Sequence, residues 1–309
     1  MNDLSTIATA SLNEPAEQLA QKLGQSFAQY GFAIVTDHGI DQALITRAEE
    51  ASRAFFALPE DTKRAYFIEG GGGARGYTPF RTERAKGASI TDLKEFWHVG
   101  RTLPDGDPLE EFMPANVWSA EIAEFRDIFE TLYDAFEIAG RRILSAIALH
   151  LGLPADWFDA TVEHGNSVMR LLHYPPIDDA EGAVRAAPHG DINTITLLLG
   201  AEEAGLELLS RDDEWIPVSP PPGALAVNIG DMLSRLTNDR LRSTIHQVRN
   251  PVGEAAARSR YSMPFFLHFR PDFTIRTLEN CVDAQHPEKY EPITAHDFLM
   301  QRLREINLA

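Results

Sequence analysis

Apolar residues recur at helical spacing in two early stretches of the chain. Leu19, Ala20, Leu23 and Phe27 share one face after Pro15, with Asn13 placed to cap a helix. Leu44, Ile45, Ala48, Ala51 and Phe55 repeat in the same way after Asp41, a second cap, and Leu58-Pro59 ends the run. Between them Gly31-Phe32-Ala33-Ile34-Val35 reads as a short buried strand and His38-Gly39 as a turn. The stretch from Lys86-Gly87 to Arg101 carries a strand at Phe96-Trp97-His98-Val99. A long helix follows, with Ile122, Phe125, Phe129, Leu132, Phe136, Ile143 and Ile147 as its inner stripe, a core surface rather than a cofactor box.

From Val168 onward the period changes. Short runs at 168–174, 194–199, 206–209, 214–218, 224–228, 243–249 and 260–269 alternate with Pro and Gly turns, the pattern of an all-β sandwich or jelly roll. Thr294 opens a last helix with Phe298, Leu299, Leu303 and Ile306 on one side. The expected fold is mixed α and β, a jelly-roll core flanked by helices. Its parts are an N-terminal helix-and-strand lobe (1–118), a long supporting helix (119–165), the jelly-roll core (166–270) and a C-terminal helical extension (271–309). The four glycines Gly70 to Gly73 lack the βαβ context of a dinucleotide fingerprint and read as a flexible loop near the site mouth.

Composition narrows the classes. The chain has 309 residues, 44% of them apolar, enough for one large domain or a core with an added lobe. Its 46 acidic and 28 basic residues give a net charge of −18, a surface that repels phosphate backbones, so nucleic acid is not an expected partner. Cys281 is the only cysteine, which allows no disulfide within the chain and fits a reducing compartment. Met1-Asn2-Asp3-Leu4 lacks the basic flank and apolar run of a signal peptide. The apolar stretch from Ile143 to Leu151 is too short, and too interrupted by Arg141, Arg142 and His150, to span a bilayer. A cytoplasmic protein with no membrane partner is the expectation, its oligomeric state left open.

The candidate chemistry lies in three short segments. In an extended strand, residues two apart point to one side, so His189 and Asp191 converge while Gly190 faces away. His246 must come from another strand brought alongside. Two imidazoles and one carboxylate on one face of a metal leave other positions open, which suits non-haem Fe(II) that also binds O2 and a co-substrate. Arg260 can hold the far carboxylate of a dicarboxylate through two parallel hydrogen bonds, and Ser262, two residues on, adds a hydroxyl from the same side.

With these residues the chain resembles the isopenicillin N synthase-like branch of the 2-oxoglutarate/iron(II)-dependent oxygenases. The likeness runs over nearly the whole length. Gln29-Tyr30-Gly31-Phe32 through Asp37-His38-Gly39-Ile40, Phe55-Phe56-Ala57-Leu58-Pro59, Arg75-Gly76-Tyr77 and Asp92-Leu93-Lys94-Glu95 match in the first half. Tyr174-Pro175-Pro176, His189-Gly190-Asp191, Val227-Asn228-Ile229-Gly230-Asp231, Thr237-Asn238, Ser243-Thr244-Ile245-His246 and Arg260-Tyr261-Ser262 follow in the family's order. The resemblance implies a double-stranded β-helix core and a catalytic Fe(II) held by His189, Asp191 and His246. It implies that 2-oxoglutarate places its C5 carboxylate on Arg260 and Ser262, with Tyr174 as a further hydroxyl donor. Several relatives carry Asn two residues before that tyrosine; here Leu172 stands there, so one polar contact to the co-substrate is lost. His173 falls on the opposite face by alternation and is read as structural.

The implied reaction is hydroxylation or desaturation of a small molecule, with O2 consumed and succinate and CO2 released. Arg75, Tyr77, Phe80, Phe96, Arg170 and Phe266 are the candidate substrate contacts; the cations Arg75 and Arg170 suggest an anionic substrate, although Arg170 could equally serve a rim salt bridge. The segment around Gly70 to Tyr77 would close over it. Two other readings use the same residues: a same-fold oxidase that does not consume 2-oxoglutarate, and a cupin-like Zn hydrolase or binding module. The latter does not require Arg260 and Ser262 to face the metal.

Overall fold

In the computed structural model, which describes residues 7–83, 91–177, 183–200 and 205–305, helices are interspersed among the strands of two larger β-sheets and a two-stranded one. The strands are β1 (Thr9–Ser11), β2 (Phe32–Thr36), β3 (Gly76–Thr78), β4 (Glu95–Gly100), β5 (Val168–Tyr174), β6 (Ala186–His189), β7 (Ile195–Leu199), β8 (Leu206–Leu209), β9 (Trp215–Pro217), β10 (Leu225–Ile229), β11 (His246–Val248), β12 (Arg260–Leu267), β13 (Thr274–Ile275) and β14 (Ile293–Thr294). The helices are α1 (Ala16–Tyr30), α2 (Gln42–Phe56), α3 (Glu60–Arg64), α4 (Phe125–His150), α5 (Asp159–Val162), α6 (Asp231–Leu236) and α7 (Ala295–Glu305).

The large sheet runs β1-β2-β10-β7-β12-β5-β4-β3, and the small one β6-β11-β8-β9. The two sheets face each other. Phe32, Ala226 and Leu198 of the large sheet pack against Ala186, Leu206, Leu208 and Val248 of the small one. This is the jelly roll that the strand spacing predicts. β1 to β4, from the N-terminal third, extend the same large sheet on both flanks, so the early segments are continuous with the core through main-chain pairing.

The other face of the large sheet carries the helices. Leu23, Phe27, Phe129, Phe136 and Ile143 join Trp97, Leu197, Val227 and Phe265 in one buried cluster. The Phe136 and Phe265 rings stack at 5.2 Å. Burying each such side chain contributes roughly 1.5–3 kcal/mol, so α4, the longest helix, is fixed to the sheet by its apolar stripe. Gly140 on α4 allows the approach, because a Cβ there would lie 2.4 Å from Leu267 Cδ1.

Local signals explain the helix ends, with one correction. The Asp41 side chain caps α2 by accepting from Ala43 N at 3.0 Å. Thr294 does the same for α7, accepting from Asp297 N at 3.1 Å. Asn13 does not cap α1, which begins at Ala16 with Pro15 as its N-cap and no side-chain cap. Gly31 closes α1 in the left-handed region at φ 69°, and its N–H bonds Phe27 O. A Cβ on Gly31 would meet the Arg242 carbonyl at 2.4 Å. The expectations for Met1-Asn2-Asp3-Leu4, Lys86-Gly87 and Ile306 lie outside the described residues. Among the described residues no helix is long and apolar enough to cross a membrane.

Candidate active site

His189 ends β6 and His246 begins β11, and the two are directly paired across the antiparallel ladder. Paired residues project to one side, and the imidazole centroids are 4.4 Å apart. Asp191 does not share a strand with His189, as simple alternation requires, because β6 stops at His189. The irregular segment after β6 brings it round instead, held by the bond from Asp231 N to Asp191 O at 2.8 Å. Oδ1 of Asp191 lies 4.0 Å from His189 Nε2 and 3.8 Å from His246 Nε2. The three donor atoms fall within 4.8 Å of one another, the one such group among the described residues.

Each donor is oriented by a bond on its far side. The Nδ1 of His189 faces Ala187 O at 2.7 Å, and that of His246 faces Thr244 O at 3.1 Å. A carbonyl accepts only from N–H, so both imidazoles carry their proton on Nδ1 and present the Nε2 lone pair to Asp191. Asp191 Oδ2 accepts from Asn228 Nδ2 at 2.7 Å and from Thr196 Oγ1 at 2.6 Å, which leaves Oδ1 for the cluster. Burial and the neighbouring His246 push His189 down to about 4. Burial works to raise the Asp191 carboxyl, but the two imidazoles and the Asn228 and Thr196 bonds outweigh it and hold it below the usual range. An ionised carboxylate beside imidazole lone pairs fits a divalent metal with other positions open.

Arg260 and Tyr174 are also direct partners, across β12 and β5. The Arg260 Cζ stands 5.2 Å from the Tyr174 ring centre. Its Nη1 bonds Ser262 Oγ at 3.3 Å, and it is 1% exposed. Nε of Arg260 has no hydrogen-bond partner among the described residues. A buried guanidinium on one face with a hydroxyl and a phenol suits one end of a dicarboxylate. His173 turns the other way, bonding Glu95 Oε1 through Nδ1 at 2.7 Å, as the alternation predicts.

The candidate substrate residues separate. Phe96 and Phe266 flank Arg170 on the inner face, at 4.1 and 5.5 Å from its Cζ. Arg170 itself is occupied: Glu83 accepts two bonds from it, at 3.0 and 3.2 Å, and His98 Nε2 accepts from its Nε at 2.6 Å. His98 Nδ1 faces Gly73 O at 2.5 Å, so this imidazole is neutral, and burial and Arg170 together push its pKa well down. Tyr77 corrects the expectation. It pairs with Trp97 and points to the helix side, fully buried, with its hydroxyl on Glu95 and Glu60. Phe80 is 37% exposed on the segment between β3 and Glu83. Arg75 is buried beside Gly100.

Sequence reasoning assigns no role to Asn228, Thr196, Glu83 or Lys94. Lys94 is buried and bonds Glu83 at 2.7 Å and Asp92 at 2.8 Å. Burial alone would lower its pKa, but Glu83 and Asp92 raise it above the usual lysine range. Asn228 stands in a motif the sequence singles out, and its even spacing from Ala226 on β10 could have placed it on the inner face.

Comparison with known proteins adds a second line. The family described as "2OG-Fe(II) oxygenase superfamily" matches residues 165–269, and "non-haem dioxygenase in morphine synthesis N-terminal" matches residues 2–121. The 2-oxoglutarate-Fe(II) type oxidoreductase hxnY of Emericella nidulans is 35% identical, over 91% of this chain and 83% of its own length. The proline hydroxylase buaE of Petromyces alliaceus is 34% identical, covering 96% of each chain. A crystal structure of a 2OG-Fe(II) oxygenase family protein from Caulobacter crescentus superposes with TM-score 0.91 at 53% identity, over 98% of this chain and 99% of its own. A full-length Neurospora crassa protein, solved in complex with alpha-KG and thymine, superposes with TM-score 0.86 at 27% identity, covering 98% of each chain.

Proposed function

The chain belongs to the 2OG-Fe(II) oxygenase superfamily, in its isopenicillin N synthase-like branch, and on that footing we propose which of its residues carry the reaction. It is a 2-oxoglutarate- and Fe(II)-dependent dioxygenase. His189, Asp191 and His246 hold the metal, and Arg260, Ser262 and Tyr174 hold the far carboxylate of 2-oxoglutarate. The observation that carries this reading is the Asp191 carboxylate: one oxygen is held by Asn228 and Thr196, and the other faces both Nε2 atoms.

Bound Fe(II) supplies the redox chemistry that couples O2 and 2-oxoglutarate to substrate oxidation, with succinate and CO2 released. The protein's part is positional. The Ala187 and Thr244 carbonyls fix the imidazole tautomers, so no proton competes for either lone pair. Arg260, buried and bonded to Ser262, would neutralise the C5 carboxylate of bound 2-oxoglutarate and orient it. Phe96 and Phe266, on the inner face beside Arg170, are the proposed walls of the chamber that takes the prime substrate.

The prime substrate is a small molecule rather than a protein or nucleic acid. The chain's net charge of −18 supports this, as does the likeness to a structure holding thymine. A cytoplasmic setting belongs to the same reading and rests on Cys281, a lone buried thiol. The full chain is to be assayed for succinate release from 2-oxoglutarate with and without Fe(II), beside Asp191→Ala. Turnover that needs Fe(II) and is lost in the variant supports the assignment; Asp191→Ala turning over at the wild-type rate overturns it.

A further inference from the structure

Several buried or half-buried cations around β4 and β5 have anionic partners. Arg170 is taken by Glu83, and Lys94 by Glu83 and Asp92. Lys63 is paired with Glu95, and Arg101 with Glu137. Arg260 has the co-substrate as its assigned partner. Arg75 is different. It is 3% exposed, and its one hydrogen bond runs from Nη1 to the carbonyl of Ala74, its own neighbour, at 2.7 Å. Nε and Nη2 have no partner among the described residues. These two nitrogens form one edge of the guanidinium, and their parallel N–H bonds match the spacing of the two oxygens of a carboxylate. Burial lowers the pKa of Arg75, and the opposing contribution comes from Tyr133 rather than from a carboxylate.

Strand alternation tells which side the guanidinium occupies. On β4, Trp97 and Val99 belong to the helix-side core, whereas Phe96 and His98 meet Arg170 on the inner face. Gly100 is the next inner position. A Cβ at Gly100 would lie 2.0 Å from both Cζ and Nη2 of Arg75. The backbone there has no left-handed φ to require glycine, so the glycine serves to leave room for the guanidinium. Gly100 pairs with Val168, and Val168 with Phe266, which sets Arg75 on the same row of the inner face as the chamber wall.

We propose that Arg75 is the specificity residue for the prime substrate, binding a carboxylate of that small molecule through Nε and Nη2, with Gly100 keeping the space open. Arg170, the other cation suggested for this role, instead braces the wall through Glu83. The inference rests on the reading of the chamber as the prime-substrate site beside a 2-oxoglutarate-loaded metal.

The test uses the full chain, loaded anaerobically with Fe(II) and saturating 2-oxoglutarate. Calorimetry measures binding of paired probes that differ only in charge: benzoate and benzamide, phenylacetate and phenylacetamide, hexanoate and hexanamide. At least one acid is expected to bind at least about tenfold tighter than its amide. Arg75→Gln and, separately, Gly100→Ala should bring that ratio close to unity. Gly100→Ala keeps the charge and displaces it, so it carries the test alone where Arg75→Gln does not give a cooperative thermal melt. Wild-type protein with no acid-over-amide preference, or a preference that survives both substitutions, overturns the proposal. Binding of 2-oxoglutarate itself is measured first. Its absence would count against the reading of the site, whereas 2-oxoglutarate binding without acid preference would count against Arg75 only.

Discussion

Asn228 donates from Nδ2 to Asp191 Oδ2 at 2.7 Å, from β10 to the turn after β6. That bond, with the one from Thr196, decides which carboxylate oxygen faces the two imidazoles. Residues that orient a metal ligand typically change metal affinity by about 10- to 100-fold when removed. Asn228→Ala should therefore weaken Fe(II) binding by a factor in that range while leaving the far-UV spectrum intact. Anaerobic metal titration checks this, and an unchanged affinity would mean that Asp191 needs no such support.

Arg260→Ala removes the proposed partner of the C5 carboxylate of 2-oxoglutarate. The loss of 2-oxoglutarate affinity should be about 2–5 kcal/mol, as for truncating one member of a desolvated charge pair. Metal binding should persist, because Arg260 stands on the Tyr174 row and not in the His-Asp-His group. Equilibrium binding of 2-oxoglutarate to the Fe(II)-loaded variant reads the difference; full affinity there would give Arg260 another task.

Stability should fall on mild acidification through His268, which the metal site does not use. Its Nδ1 faces Phe266 O at 3.0 Å, and burial pushes its pKa down to about 4. The unfolded chain has the ordinary value near 6.5, so between these limits the unfolded state binds the extra proton. Stability is thus complete above about pH 6.5 and declines toward pH 4, by on the order of 2–3 kcal/mol for this one group. Urea unfolding of metal-free protein at pH 7.5 and pH 4.5 should show a smaller pH difference for His268→Phe than for the wild type. An equal difference in both would place the acid sensitivity elsewhere.

Much of this is legible in the chain because long patterns repeat. The stripe on α4, the strands β5, β7, β8, β10 and β12, and the grouping of His189, Asp191 and His246 each declare themselves through period or spacing. Several of the short elements leave no such trace. β1 and β3 have three residues each, and β13 and β14 two, too few for alternation to register. Tyr77 escapes sequence reasoning because its side depends on pairing with Trp97, and no local pattern specifies that register. The Glu83–Arg170 pair joins residues far apart in sequence, so either charge alone looks available. Asp191 comes close to the two imidazoles through the irregular segment after β6 rather than by the strand geometry that suggests it.

The most direct test of the account is anaerobic Fe(II) titration of the wild type and His246→Ala, each followed by 2-oxoglutarate addition and a difference spectrum. The wild type should bind Fe(II) stoichiometrically and develop a 2-oxoglutarate-dependent visible absorption; His246→Ala, folded by thermal melt, should do neither. Wild-type iron occupancy in His246→Ala would contradict the assignment of His189, Asp191 and His246 as the metal site.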